Sequence, residues 1–208
     1  KAMSNYYNNQ SYKFGEARHR QQNEGVADTL KNIFSQDTLF YLDEKIINHL
    51  MDSLCLDSSR HDFSSMMKGL FNDYSFLMSP AYKALEGFLF QLANDLKLPS
   101  SANNDKIAGA YYFDEQKIDK HIDSLIKEIE NKADNENMLS KYEKQDIKDR
   151  IKEMKGFLRH YRHAPAHFFG EPIETVDKAH RNIMIIYGAI DNATKILLKA
   201  GLISISNT

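Results

Sequence analysis

Cysteine is almost absent from this sequence, and so are the patterns that lead a protein into or across a membrane. The single cysteine, Cys55, has no partner for an internal disulfide, and a zinc site built on several cysteines is excluded. No stretch approaches the roughly 18 consecutive apolar residues of a membrane span, and the N-terminus lacks the charged-then-apolar pattern of a secretion signal. We therefore expect a cytoplasmic protein with no membrane partner.

The sequence also lacks an excess of charge of either sign. Its 27 lysines and arginines nearly balance 29 aspartates and glutamates, which gives a formal net charge of -2. A chain with this balance has no overall positive field to attract nucleic acid. Any binding of RNA must therefore depend on a local group of basic residues.

Strand-like alternation and internal repeats are missing, whereas apolar residues recur at helical spacing from Val26 onward. Ser79 is predicted to cap one helix, with Pro80 in its first turn. The charged helices carry apolar stripes, which include Ile122 and Ile126 in one and Tyr142, Ile147, Ile151 and Met154 in the next. The pattern predicts an all-α helical bundle with helices at about 25–35, 42–56, 80–97, 114–132, 139–163 and 174–200.

The chain is predicted to contain one folded domain and one arm. Residues 1–24 are rich in asparagine, glutamine, tyrosine and arginine and have almost no aliphatic side chains, which is typical of a flexible segment. Residues 25–208 are long enough to bury one sizeable core. Because the chain begins at Lys1 rather than methionine, we also expect a trimmed protein or a domain of a longer one.

Ionisable side chains are densest in R-H-Y-R-H-A-P-A-H, residues 159–167. Histidine exchanges protons near neutral pH, and arginine presents a planar set of donors to phosphate oxygens. These groups suit RNA cleavage, which needs a base for the 2′-hydroxyl, an acid for the leaving 5′-oxygen and cations for the charge on phosphorus. Arg162 and His167 would lie about 140° apart on an unbroken helix, and a kink at Pro165 can bring them together.

Two other interpretations of this segment remain open. Arginine and histidine near a helix C-terminus often do no more than complement the helix dipole. Alternatively His160, His163 and His167 share one helical face and could bind a metal ion. Pro165 interrupts that face, and no carboxylate lies within the segment.

Glu86 is a second unusual residue, because it falls between Leu89 and Phe90 on a helical wheel, inside the apolar arc. A carboxylate at such a position must be paired or must face a cleft. It is either a rim residue paired with a lysine or a tyrosine hydroxyl, or the partner that orients Arg162 or His167. Gly87 beside it allows another backbone to approach closely.

The segment R-H-A-P-A-H resembles the R-x4-6-H motif of the HEPN (higher eukaryotes and prokaryotes nucleotide-binding) ribonucleases. The wider arrangement is similar to the C-terminal toxin domain of the RNase LS toxins (RnlA/LsoA family) over about residues 27–200. The matching motifs are an E-K-I-I helix ending in L-C at 44–55, L-E-G at 85–87, Y-F-D at 112–114 and R-H-x-x-x-H at 162–167.

The resemblance implies a HEPN-like bundle with additional N-terminal helices and a metal-independent endoribonuclease toxin of a toxin-antitoxin or phage-defence system. Such an enzyme leaves 2′,3′-cyclic phosphate and 5′-hydroxyl ends, needs no cofactor or metal, acts as a homodimer and is silenced by a protein antitoxin. By position, Arg162 and His167 are the motif pair and Glu86 is the family's L-E-G glutamate. All three are expected to be catalytic, with Arg159, His160 and His163 binding the substrate, which we expect to be messenger RNA.

Two features depart from the family. The upstream domains of the full toxins are absent, which favours a fragment of a longer toxin or a minimal relative, and Phe168 follows His167 where many small HEPN toxins have tyrosine. The main alternative is a non-catalytic HEPN-like module that binds a nucleotide, a nucleic acid or a protein partner. A third is an unrelated helical bundle whose histidines are structural or bind metal.

Overall fold

The fold is built from α-helices. The computed structural model describes residues 25–60, 71–98, 115–132, 139–157 and 172–205, and no strand occurs in these ranges. The predicted all-α class is therefore confirmed. The regular elements are α1 at 25–33, α2 at Gln36–Tyr41, α3 at Glu44–Ser58, a 3-10 turn at Ser75–Met78, α4 at Ser79–Asp95, α5 at Glu115–Lys132, α6 at Lys141–Phe157 and α7 at Val176–Lys199.

One helix was not predicted, and one predicted helix cap is wrong. The first helix ends at residue 33, because Ser35 takes an extended backbone and accepts a hydrogen bond from the Thr38 amide, which starts α2 as a separate helix. Ser79 does not cap α4: the preceding 3-10 turn runs directly into the helix, so that Met78 is the N-cap residue and makes no side-chain cap. Pro80 lies in the first turn of α4, as predicted.

Three predictions fall outside the described residues. They are the flexible arm at 1–24, the continuation of α6 to residue 163 and the whole of the basic segment 159–167.

The core lies where α3, α4 and α7 meet. Gly87 lets α4 pack closely against α3. A Cβ atom at this position would lie only 3.0 Å from Cγ1 of Ile46 on α3. The approaching group is thus a side chain rather than the predicted backbone. The side chains that fill this core are almost completely buried and include Leu50, Leu85, Phe88, Leu92, Ile183, Ile186 and Ile190.

α5 and α6 pair differently, with charged residues along their contact. Nζ atoms at successive turns of α6 meet carboxylates of α5, namely Lys152 with Asp119 at 2.7 Å, Lys148 with Asp123 at 2.6 Å and Lys144 with Glu130 at 2.8 Å. The predicted stripe residues Ile147, Ile151 and Met154 are buried, but Tyr142 is 87% exposed, which corrects its assignment to the stripe. Nine residues separate it from Ile151, a rotation that places it about 180° away around the helix.

A buried carboxylate joins the N-terminal helices to α7. Asp191 Oδ1 accepts hydrogen bonds from the Ser35 amide and hydroxyl, both at 3.0 Å, and from Thr38 Oγ1 at 2.7 Å, while Lys195 pairs with Oδ2. Burial raises the pKa of Asp191, but the bonds from Lys195, Thr38 and Ser35 outweigh it and lower the pKa overall. Asp191 therefore stays ionised and fixes the start of α2.

None of the described helices is both long enough and apolar enough to cross a bilayer.

Candidate functional site

Glu86 lies on α4, the helix that packs against both α3 and α7. Its side chain is half-buried, between fully buried Leu85 and half-buried Gly87. The carboxylate is therefore at the edge of the core, on a helix that is held on two sides. Its predicted catalytic role remains a prediction.

The other predicted site residues all belong to the chain between α6 and α7. Arg159, His160, Arg162, His163 and His167 lie outside the described residues, as do their distances to Glu86. Their assigned roles, and the alternative metal site on the three histidines, therefore stay predictions. In the part of the chain that the structure describes, no group of three or more His, Cys, Asp and Glu side chains is arranged to hold a metal ion.

The described residues do contain an ionisable cluster that joins α3 to α7. His180 Nδ1 lies 2.9 Å from both carboxylate oxygens of Asp57, and Arg60 Nη1 donates to Asp57 Oδ2 at 3.2 Å and to the Asp57 carbonyl at 3.0 Å. Asp57 is buried, with 7% of its surface exposed, while His180 is half-buried. Two cationic or proton-bearing partners thus compensate one desolvated carboxylate.

This geometry orients the His180 ring. A carboxylate that holds one ring nitrogen leaves the other, Nε2, as the group able to exchange a proton or bind a ligand, an arrangement common where histidine acts chemically. A cleft of about 440 Å³ lies next to the cluster and is lined by Asp57, Ser58, Ser59 and Arg60 of the chain at the end of α3. The cluster can fix the two helices and can present polar groups to this cleft.

This cluster was not predicted from the sequence, although the position of Asp57 among apolar residues could have indicated it. Asp57 follows buried Leu54 by three residues and buried Leu50 by seven, so it lies in an apolar stripe for the same reason as Glu86. Nothing in the local pattern paired it with His180, which is 123 residues away.

Two further ionisable groups near this end of α3 are held in their neutral forms. Burial, followed by the charge of Asp52, raises the pKa of the Cys55 thiol, and burial is the main cause that raises the pKa of the Tyr187 phenol. A protonated thiol is a poor nucleophile. The raised pKa therefore disfavours Cys55 as a nucleophile at neutral pH.

Residues 22–145 match the family model described as "RNase LS, bacterial toxin DBD domain". This is more than half of the 208 residues. The chain belongs to this family. The RNase LS toxin domain thus identified includes α1 to α5 and the first turn of α6, and with them Glu86 and Asp57. It ends before the segment 159–167 and before His180.

Membership in this family indicates a toxin of an RNase LS system. No curated protein and no solved structure matches it. The motifs at 44–55 and 85–87 resemble the RNase LS toxins, and this resemblance is confirmed for the toxin domain. The wider resemblance to the HEPN superfamily stays a prediction.

Proposed function

We propose that this RNase LS toxin domain is a metal-independent endoribonuclease. The observation that carries the proposal is the family match over residues 22–145, which contains Glu86 at a half-buried position of α4. An R-x4-6-H sequence follows in the same chain, at residues 162–167. The family match and the motif lie in different parts of the chain, and both support a ribonuclease.

In the proposed reaction, the 2′-hydroxyl of RNA attacks the neighbouring phosphorus and the 5′-oxygen leaves. His167 accepts the proton that the 2′-hydroxyl loses and supplies the proton that the leaving 5′-oxygen gains, and Arg162 binds the phosphate oxygens that gain charge. Glu86 pairs with one of these two cationic groups and holds it in place. Arg159, His160 and His163 bind the RNA, and the products are a 2′,3′-cyclic phosphate and a 5′-hydroxyl end.

The proposed toxin acts in the cytoplasm as a homodimer, on messenger RNA, and is silenced by a protein antitoxin. A net charge of -2 leaves one copy with only a small basic patch. Two copies of the segment 159–167 facing each other across a twofold axis would double that patch where phosphate must bind.

A second candidate function is supported by the position of the match itself. The matched residues end at 145, so they do not contain Arg162 or His167. A helical module that binds a nucleotide, a nucleic acid or a protein partner without cleaving would account for the match equally well. Such a module needs Arg162 as an anion contact but needs no proton transfer from His167.

The test compares four forms of the chain on a mixed RNA pool in excess chelator. The parent and His49→Ala, a control on a half-buried histidine of α3, are expected to cleave RNA and to leave ends that a kinase phosphorylates without phosphatase treatment. Arg162→Ala and His167→Ala are expected to lose at least 10-fold in rate with an unchanged melting temperature. RNA binding without cleavage by the parent supports the second candidate, and dependence on a divalent ion contradicts the proposed reaction.

Glu86→Gln tests the third residue and the dimer together. We expect a loss of at least 10-fold in rate, equivalent to about 1.4 kcal/mol of transition-state stabilisation, with dimerisation retained in sedimentation experiments. An unchanged rate would leave Glu86 as a rim residue, and a fully active monomer would refute the shared cleft.

A further inference from the structure

The chain just before α7 is anchored to the loop before α4. The Ile173 carbonyl accepts a hydrogen bond from the Tyr74 amide at 2.8 Å, and the Ile173 amide donates to Asp73 Oδ1 at 3.0 Å. Ile173 is itself 4% exposed, so both of its backbone polar groups need partners inside the protein. Two consecutive residues supply them.

The acceptor on Asp73 is held in position by its own turn. Its Oδ1 also accepts from the Ser75 amide at 2.9 Å, and its Oδ2 accepts from the Ser75 hydroxyl at 3.0 Å. These two bonds from Ser75 fix the orientation in which the carboxylate accepts the hydrogen bond from Ile173.

The residues of this anchor lie close in the sequence to the two parts of the proposed active site. Ile173 follows His167 by six residues in the sequence. On the other side, Ser75 begins the 3-10 turn that continues without a break into α4, the helix of Glu86. One carboxylate thus links the end of the motif-bearing connection to the start of the helix that carries the third predicted residue.

We propose that Asp73 is a positioning residue of the ribonuclease: it fixes the C-terminal flank of the segment 159–167 relative to α4. The inference depends on the proposed function. Misplacement of a reacting group by about 1 Å can reduce a rate by roughly 100-fold, so a distant anchor of this kind has a measurable effect on turnover. Asp73 contacts neither RNA nor the reacting atoms in this proposal.

Three variants separate this role from a general loss of stability. Asp73→Ala removes the acceptor for both Ile173 and Ser75, Asp73→Asn keeps an oxygen at Oδ1, and Ser75→Ala removes only the local hydroxyl bond. We expect Asp73→Ala to reduce kcat at least 10-fold with KM changed less than about threefold. Asp73→Asn and Ser75→Ala are expected to stay within about threefold of the parent. The melting temperature of each variant is measured beside its kinetics.

Amide hydrogen exchange gives a second readout that does not depend on cleavage. A peptide covering residues 172–176 is expected to exchange at least 10-fold faster in Asp73→Ala than in the parent, while peptides from α3 are unchanged. Parent-like exchange and parent-like kcat in Asp73→Ala would overturn the proposal, and so would equal losses of kcat in the alanine and asparagine variants. A parent chain that cuts no RNA refutes the proposed function and with it this role in turnover, whereas faster exchange in Asp73→Ala would still establish the anchor.

Discussion

The α3–α4 pair and the α5–α6 pair are both held together by facing side chains, but by different physical interactions. Leu50 of α3 and Leu85 and Phe88 of α4 have no exposed surface. Among the described residues of α5 and α6, a row of four isoleucines and Met154 is buried, and lysine–carboxylate pairs lie beside it. The first pair is stabilised by removing apolar surface from water, and the second depends in addition on charges that remain in contact with water.

The difference indicates which part of the chain responds to its surroundings. Apolar burial is insensitive to salt of moderate concentration, whereas exposed ion pairs are screened over about 8 Å at physiological ionic strength. Glu86 lies on α4, which belongs to the pair with apolar contacts. The segment with Arg162 and His167 follows α6, which belongs to the pair with ion pairs. One predicted catalytic residue is thus on a helix packed through apolar contacts, and the others follow a helix that is held partly by exposed ion pairs.

The largest expected effect comes from breaking the apolar pair. Phe88 is fully buried on α4, and its ring meets the Tyr41 ring edge-on with 6.4 Å between centroids. Truncation to alanine leaves a cavity that packed helices cannot fill, so Phe88→Ala is expected to reduce the free energy of unfolding by about 3 to 5 kcal/mol. Urea denaturation measures the change.

A matched control for this prediction is Phe40→Ala, because Phe40 is 62% exposed. Its truncation removes little buried surface and is expected to cost less than about 0.5 kcal/mol. Equal losses in the two variants would show that burial of the Phe88 ring does not account for its contribution to stability.

A smaller effect is expected from breaking one ion pair between α5 and α6. Lys148 and Asp123 have side chains that are 13% and 45% exposed, so their attraction is partly screened by solvent. A double-mutant cycle with Lys148→Met and Asp123→Asn is expected to give a coupling of about 0.5 to 1 kcal/mol. At about 1 M salt the coupling should fall to less than half. A coupling that does not change with salt would contradict the screening argument.

The helices with strong periodicity were predictable from sequence because burial of one stripe imposes a fixed spacing. In α3, Ile46, Leu50 and Leu54 occupy that stripe, and the observed helix begins and ends within two residues of the prediction. α2 was not predictable, because its six residues are too few for a periodic signal. Its start depends on Asp191, which binds Thr38 from 153 residues away.

The candidate site shows the same division. The types of residue in the segment 159–167 and the position of Glu86 in an apolar arc are local properties, and both could be recognised from the sequence. The contacts of Asp57 with His180 and of Asp73 with Ile173 join positions 123 and 100 residues apart. Pairings of this kind depend on how helices pack, which the spacing of apolar residues along one helix does not determine.

The smallest expected effect concerns the charged cap at the start of α6. Ser140 and Glu143 form a capping box: the Ser140 hydroxyl accepts from the Glu143 amide at 3.2 Å, and Glu143 Oε2 accepts from the Ser140 amide at 2.9 Å. Lys199, in the last turn of α7, donates to the other oxygen, Oε1, at 3.0 Å. The Ser140 backbone first, and then Lys199 and the Ser140 hydroxyl, lower the pKa of Glu143 from 4.5 to about 2.

A lowered pKa in the folded protein means that the ionised carboxylate stabilises the fold at pH values above 4.5, and that this contribution is lost as the pH falls through about 2. An NMR titration of the Glu143 carboxyl carbon is therefore expected to show a midpoint near 2 in the parent chain. Lys199→Met removes a hydrogen bond and a positive charge, so it should raise the midpoint. Ser140→Ala keeps the backbone donor and should raise it less. A parent midpoint near 4.5 would mean that neither donor holds the carboxylate in solution, and that the contact of Lys199 with Glu143 does not join α7 to α6 there.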